Sequence, residues 1–393
     1  ADDWKYNCTC KDCKAIDDYE ESPAGTLIRF VNAIADEVEK KHPNVYVQTL
    51  AYLHTRKAPK YMRPRHNVVP ALCPIECDFG HPLKTGELPN NVNFRKDMDA
   101  WAAITDKLYI WDYVTNFGWF MGAQPNIFVM QENMKYFRDN RTAFLYADGP
   151  SFNAEFSALK SYLVAKWAWN PDLSADRLID RFLTGSYGEA APYVREYIDL
   201  VQDVAKRHPR HFFGCFSSVH HEFSSAAFAD KSRDLWSKAE QAVAGNAAVL
   251  KRLRRAEFSP VAMRLDAAAA KTKYIWVTRH PETFTKPAGV DEDLAFAEAR
   301  IEEFRKDGHP TVFGLPARAK ERSIYGGWRR AAEFTRPKEG CDRVFVGLDD
   351  LTVYHEDWGK IVDDPTAFQG KAYLSHNTQD LLTLLIRFRN VAY

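Results

Sequence analysis

The sequence predicts an α/β fold in which helices cover a parallel β-sheet, and two observations lead to this prediction. Four apolar runs are too short for helices and are continuous rather than alternating, as in parallel strands that are buried on both faces. Helical patterns separate most of these runs, which begin at Val45, Val68, Leu108 and Ala143. Each run leads into polar side chains, and in parallel α/β folds the ligand lies at the carboxyl ends of the strands. We therefore expect one functional site at that edge.

The helices of the first 150 residues follow from periodicity and from start and stop signals. A helix is predicted for residues 26–41, where apolar residues recur at helical spacing after Ser22 and Pro23. The connection between the first two strands contains Pro59 and Pro64, which leave room for a turn or two of helix at most. Residues 93–106 and 125–140 are predicted to form the regular helices that separate the later strands.

The four strands are half of the eight that a closed (β/α)8 barrel of the TIM type needs. Either the first half of a barrel precedes Ala1 in a longer protein, or the sheet is open. The chain begins with Ala1 rather than Met, which we interpret as a fragment or a processed mature form.

Two further regions follow the predicted half-barrel of residues 1–150. In residues 151–335 the strand signals stop, and consecutive helical patterns with short polar joints predict a helical domain. These patterns cover residues 154–169, 175–183, 191–207, 224–242, 247–277 and 290–306. Residues 336–393 contain short strand patterns with Asp, Pro and Gly turns, which are typical of the beginning of a β-sandwich.

The charge balance argues against a nucleic-acid partner. The 393 residues include 53 Lys and Arg and 53 Asp and Glu, so no net field attracts a polyanion. A neutral substrate suits this balance best. No apolar run reaches the roughly 18 residues that a membrane-spanning helix needs, so we expect no membrane span.

Glu76 is the first candidate for a catalytic residue. It follows a buried strand and lies between Cys73 and Cys77, with His81 a few residues further on. Burial would favour its neutral form, which a general acid needs at neutral pH. The alternative is a structural ion pair between Glu76 and Arg56.

Residues 111–120 indicate a carbohydrate site, because they combine an acid, an amide and five aromatic rings. Sugars are bound by flat apolar faces together with carboxylates or amides, although an aromatic cluster can equally be plain core. Together with other strand ends, these residues give the following predicted sugar contacts: Tyr52, His54, Arg56, His81, Trp111, Tyr113, Asn116 and Asp148.

Cleavage of a glycosidic bond normally requires a second carboxylate. Asp3 could mark a further strand end near the start of the chain, and a solvated terminus is the alternative. Asp112 is a third candidate for a catalytic carboxylate, because it follows the strand that begins at Leu108.

Cys8, Cys10 and Cys13 lie at a spacing that suits metal ligands, which predicts a structural zinc site with Cys73 or Cys77 as the fourth ligand. In an exported protein the same cysteines could instead form disulfides. We expect the two groups of cysteines to meet behind the site, and we expect no cofactor for catalysis.

Two histidine pairs have no carboxylate at a fixed metal-ligand spacing, which leads us to expect helix-end and surface histidines. They are His208 with His211, and His220 with His221.

Several uncommon motifs resemble the domain-of-unknown-function 4838 family, later classed as glycoside hydrolase family 163. They occur in the family's order over about residues 1–210: Cys8-x-Cys10-x-x-Cys13, Thr49-Leu-Ala-Tyr, Leu72-Cys-x-Ile-Glu-Cys77, Ile110-Trp-Asp-Tyr-Val-Thr-Asn-Phe117 and Tyr187-Gly-x-Ala-Ala-Pro-Tyr193.

The resemblance implies a (β/α)8 barrel whose first half lies upstream of Ala1. It also implies an endo-β-N-acetylglucosaminidase that releases complex N-glycans from glycoproteins and is exported, to the periplasm, the cell surface or the medium, typically in gut bacteria. In the retaining mechanism we expect, the acetamido oxygen of the substrate is the nucleophile, Glu76 is the acid/base and Asp3 is the polarising carboxylate.

One departure from the family pattern concerns substrate preference. The family commonly carries Glu-Gln-Gly at the end of the last barrel strand, whereas this chain has Ala147-Asp148-Gly149. If that Glu shapes the sugar subsite, the preferred substrate differs here. The alternatives to an endo-acting hydrolase are a non-catalytic glycan-binding module and an exo-hexosaminidase or α-glucuronidase-like barrel.

Overall fold

The computed structural model describes residues 7–149, 154–217, 219–273 and 288–306, together with Trp328 and the backbone of two short paired strands, β5 (Arg343–Phe345) and β6 (Leu385–Arg387). Within these residues the protein is an α/β protein, as predicted. The predicted carboxylate Asp3 and all but six residues of the predicted β-sandwich lie outside the described part of the chain.

The four predicted strands form one parallel sheet in sequence order. They are β1 (Val47–Ala51), β2 (Val68–Leu72), β3 (Leu108–Tyr113) and β4 (Thr142–Asp148). Leu72 at the end of β2 is in register with Ala51 of β1 and with Ile110 of β3, and Tyr113 of β3 is in register with Asp148. Because all four strands run in one direction, their carboxyl ends share one edge, which we call the rim.

The connections between the strands agree with the prediction from proline positions. The helices α3 (Pro89–Ile104) and α4 (Ile127–Asp139) join β2 to β3 and β3 to β4. Between β1 and β2 the structure has only a 3-10 helix, Leu53–Thr55, followed by an irregular segment. Upstream of β1 lie α2 (Ala24–Lys41) and a short helix, α1 (Lys11–Glu20), that periodicity did not predict.

The two faces of the sheet have different surroundings. On one face Val47 and Val68 pack against Val31 and Ala35 of α2, which buries Val68, Val31 and Ala35 and partly buries Val47. Successive side chains of a strand point to opposite faces. The alternate positions therefore form the other face, which we call the open face.

Aromatic rings dominate the open face over β3 and β4. Tyr109 stacks with Phe144 at a centroid distance of 6.1 Å, and Trp111 meets Tyr146 edge-on at 4.6 Å. Phe144 and Tyr146 are nevertheless exposed to solvent.

In the described part of the chain, six helices follow the sheet, and their positions agree with the predicted patterns. They are α5 (Ser157–Trp169), α6 (Ala175–Tyr187), α7 (Ala191–Arg207), α8 (Ala226–Ala242), α9 (Ala247–Lys273) and α10 (Val290–Lys306). Their buried side chains belong to the same apolar cluster as those of the sheet, in which Leu72 and Ile110 are continuous with Tyr197 and Trp236. Among the described residues, none of the helices combines the length and the apolar character that crossing a bilayer requires.

Candidate active site at the rim of the sheet

The loop after β1 delivers two of the predicted site residues to the rim. Leu53 has a positive φ of 47°, so the chain turns sharply as it leaves the strand. Thr55 stabilises this turn, because its hydroxyl accepts the N–H of Tyr52 at 3.2 Å. The turn directs His54 and Arg56 onto the rim. His54 is half-buried, and its Nδ1 makes no hydrogen bond within the described part of the chain.

Arg56 lies between two carboxylates. Its Nη1 donates to Glu76 Oε2 at 2.6 Å and its Nε donates to Asp97 Oδ2 of α3 at 2.8 Å. The guanidinium is further held over the ring of Phe94, and its side chain is only 11% exposed. The ion pair between Glu76 and Arg56, which was the alternative interpretation of Glu76, is therefore present.

The expectation that Glu76 is buried is wrong. Its side chain is 44% exposed, because the loop after β2 carries it out beyond the strand end. An exposed carboxylate beside a guanidinium is suited to a charged role in contact with a ligand. Glu76 thus has access to solvent but not the apolar surroundings that a general acid usually needs.

Asp112 has the opposite properties. It is 1% exposed, and its neighbours in the alternation, Leu108 and Ile110, are core residues on the helix-covered face. Burial raises the pKa of Asp112 from 3.8 to about 7, and a hydrogen bond from the backbone of Tyr113 opposes part of that rise. Its Oδ1 makes no hydrogen bond in the described part of the chain. Asp112 can therefore hold a proton near neutral pH, but it does not reach the open face.

The open face carries Trp111, Tyr113 and Asp148 to the rim. Trp111 donates its indole N–H to Asp148 Oδ2 at 3.1 Å, which fixes both side chains. Burial raises the pKa of Tyr113, so its phenol remains a hydrogen-bond donor at any ordinary pH. Gly149 ends this region with a φ of 128°, and a Cβ there would lie 2.7 Å from the side chain of Thr115. Only glycine fits that position without displacing the loop.

A loop from the helical region, residues 211–217, docks onto the rim. Cys215 and Phe213 accept backbone hydrogen bonds from Phe117 at 2.7 Å and from Phe79 at 3.0 Å. Asn116 holds the same loop, because its Nδ2 donates to the carbonyl of Ser217 at 2.9 Å while its Oδ1 accepts the N–H of Trp119. The amide of Asn116, predicted to contact the sugar, is therefore engaged in fixing this loop.

Asp78 is a buried carboxylate that the sequence did not single out. Its two oxygens accept the backbone N–H groups of Gly80, His81 and Phe213 and the Nδ1–H of His81, the last at 2.7 Å. His81 Nε2 lies 3.0 Å from the carbonyl of Ala205. Both acceptors are satisfied when each ring nitrogen carries a proton, so the surroundings favour the imidazolium form of His81 and engage both nitrogens.

Burial alone would lower the pKa of His81. The hydrogen bond and charge of Asp78 and the bond to the Ala205 carbonyl outweigh this effect, so the pKa of His81 lies above its ordinary value. The pair Asp78–His81 joins the loop after β2 to the end of α7 and to the docking loop.

The two groups of cysteines do not meet as predicted. The sulfurs of Cys8, Cys10 and Cys13 lie within 4.8 Å of one another at the exposed start of α1, where Cys10 Sγ accepts the N–H of Cys13. Cys73 and Cys77 are buried near the rim, and their thiols point to backbone carbonyls. The first three can hold a metal by geometry alone, but the fourth ligand would have to come from elsewhere. None of the six cysteines in the described part of the chain forms a disulfide.

The prediction that His220 is a surface histidine is also wrong. His208 does end a helix, since it caps α7, but His220 is 3% exposed and lies beside His208, His211 and Glu222.

A separate cavity of about 470 Å³ lies between α5, α6, α9 and α10 and contains none of the predicted site residues.

A family model matches about half of the chain. The model of a family described as a domain of unknown function, DUF4838, matches residues 1–199, a span that includes the whole four-stranded sheet and the carboxylates at its rim. No curated protein and no solved structure matches the chain.

Proposed function

Because the chain belongs to the DUF4838 family of unknown function, and because its rim combines carboxylates with aromatic rings, we propose that it is a glycoside hydrolase. The resemblance of several of its motifs to glycoside hydrolase family 163 favours an endo-β-N-acetylglucosaminidase that acts on complex N-glycans of glycoproteins. In this proposal the four-stranded sheet is the second half of a (β/α)8 barrel, and the open face lines its interior.

The observation that carries the proposal is the composition of the rim. Four parallel strands end at one edge, and their ends or following loops supply Tyr52, Glu76, Tyr113 and Asp148. Aromatic faces bind the C–H side of a sugar ring, and carboxylates and phenols bind its hydroxyl groups. In parallel α/β folds this edge is where substrates bind.

The surroundings of Glu76 define its part in the reaction. In a substrate-assisted mechanism one carboxylate stays charged and orients the acetamido group, while a second group gives a proton to the leaving oxygen. Arg56 and the solvent exposure of Glu76 favour the charged role. We therefore propose Glu76 as the orienting carboxylate, which revises the acid role expected from the sequence. Asp112 does not reach the open face, so Asp3 is the remaining sequence candidate for the acid.

The test compares Glu76→Gln with a matched control. Asp106 also forms an ion pair with an arginine, Arg141, at 2.7 Å, but it immediately precedes β3 and so lies at the amino-terminal edge of the sheet. We expect Glu76→Gln to reduce release of glycan from a complex-type glycoprotein by roughly 100- to 1,000-fold, because it removes the charge that orients the acetamido group, and Asp106→Asn to leave it unchanged. Equal activity of Glu76→Gln and the wild type, with both folded, would remove Glu76 from the mechanism.

A further inference from the structure

Five side chains form a compact group beside the rim, which we call the histidine cluster: His208, His211, His220, His221 and Glu222. His208 caps the carboxyl end of α7 and His211 lies three residues further on, while His220 precedes the 3-10 helix His221–Ser224, which contains His221 and Glu222. The cluster lies beyond residues 1–199, so the family match does not include it.

The donor atoms of three members converge on one point. One donor atom each of His208, His220 and Glu222 lies within 4.8 Å of the other two, and His208 Nε2 is 2.7 Å from Glu222 Oε2. The ring of His220 lies 4.4 Å from that of His208, 4.3 Å from that of His211 and 4.2 Å from that of His221. Two imidazoles and one carboxylate at such separations are a common set of ligands for Zn²⁺ and related ions.

The surrounding structure holds these ligands in place. His208 caps α7 through backbone hydrogen bonds to Val204 and Ala205. His220 is buried, and it precedes Phe223, which packs into the core against Phe228. Arg207 binds the second oxygen of Glu222 and so fixes the carboxylate without using the oxygen that faces His208.

The packing of the rings also favours a bound cation. A divalent ion would offset the cost of packing these polar rings together.

We propose that His208, His220 and Glu222 form a binding site for a divalent transition-metal ion such as Zn²⁺, with His211 or His221 as the nearest source of a fourth ligand. Binding replaces two hydrogen bonds of the metal-free protein, that of His208 Nε2–H to Glu222 and the 3.2 Å bond of the Glu222 N–H to His220 Nδ1. The proton leaves His208 Nε2, so that the neutral imidazole carries its one proton on Nδ1 and its Nε2 becomes a ligand.

The position of the cluster gives the ion a structural role at the rim. His211 begins the docking loop of residues 211–217, and its ring packs against Phe213 at 4.6 Å. Phe213 in turn donates its backbone N–H to Asp78 in the loop after β2. A bound ion would join α7 and the 3-10 helix at the base of this loop, and we expect it to raise the thermal stability of the protein.

The experiment measures Zn²⁺ affinity by titration calorimetry in a protein in which Cys8, Cys10 and Cys13 are replaced by serine, so that the cysteine group cannot contribute. His208→Gln removes one ligand at a partly exposed position and keeps a hydrogen-bonding side chain. The matched control is His66→Gln, because His66 also contacts a carboxylate, Glu39 at 2.8 Å, far from the cluster in sequence.

We expect one Zn²⁺ per chain, with an affinity that falls at least about 10-fold in His208→Gln and is unchanged in His66→Gln. Glu222→Gln, also at a partly exposed position, should weaken binding in the same way, and Mg²⁺ should not bind, because imidazole ligands favour transition metals. Absence of Zn²⁺ binding in the serine-substituted protein would overturn the proposal. Equal affinity of His208→Gln and the control would overturn it as well.

Discussion

Replacing Asp112 by asparagine changes the pH dependence of stability in a direction that the structure determines. The pKa of Asp112 is raised from 3.8 to about 7 because the carboxyl is buried. At pH values between these two pKa values, Asp112 keeps its proton in the folded protein but has released it in the unfolded chain. The contribution of Asp112 to stability is therefore complete below pH 3.8 and is lost as the pH rises towards 7.

The magnitude follows from the same two values. Each pKa unit corresponds to about 1.4 kcal/mol, so the buried carboxylate costs the folded state about 4 kcal/mol above pH 7. At pH 5 the cost is only about 1 to 2 kcal/mol, because the folded protein still holds its proton. The wild type should thus lose about 3 kcal/mol between pH 5 and pH 8 through Asp112 alone.

Asparagine does not titrate, so Asp112→Asn should lack this loss. Urea unfolding at pH 5 and pH 8 measures the free energy of unfolding of both proteins, and other titrating groups cancel in the difference between them. We expect the variant to gain about 3 kcal/mol relative to the wild type on going from pH 5 to pH 8. Asp106→Asn, at an exposed position, should show no such gain. A constant difference between Asp112→Asn and the wild type at both pH values would refute the assignment of a buried, proton-holding carboxyl.

Two further predictions concern the groups that hold the rim and the start of α1. Asp78→Asn should destabilise the protein by roughly 3 to 5 kcal/mol in urea unfolding, because it leaves the imidazolium of His81 without its buried partner. This loss should be largest below pH 6.5 and should shrink as the pH rises through the raised pKa of His81; a loss that does not depend on pH would contradict the charged pair. If Cys8, Cys10 and Cys13 bind zinc, chelation should free three thiols for titration, whereas an unchanged thiol count would exclude the site.

The sheet could be predicted from the sequence because its strands are continuous apolar runs. Val68 to Leu72 is buried at every position, so no alternation competes with the parallel-strand interpretation. The polar residues that follow such runs had to lie at one edge, and the irregular connection between β1 and β2 followed from its prolines. These inferences needed only local patterns and one general rule of topology.

The details of the site could not be predicted, because they depend on contacts between distant segments. Asp78 binds the N–H of Phe213, 135 residues further along the chain, and no local pattern marks that contact. Glu222 directly follows His220 and His221 in the sequence. Its contact with His208 depends on the position of α7 in the fold, which no local sequence pattern indicates. The position of Asp112 on the covered face could be predicted from the sequence, because Asp112 shares the period-2 alternation of Leu108 and Ile110.

The most direct test of the central proposal is incubation of the purified protein with a glycoprotein that carries complex-type N-glycans, followed by mass spectrometry of the products. We expect intact free glycans that end in N-acetylglucosamine, with one N-acetylglucosamine left on the glycoprotein substrate. Release of single terminal sugars would identify an exo-acting enzyme instead. Binding of the glycoprotein without any released sugar would contradict the hydrolase proposal and favour a glycan-binding module.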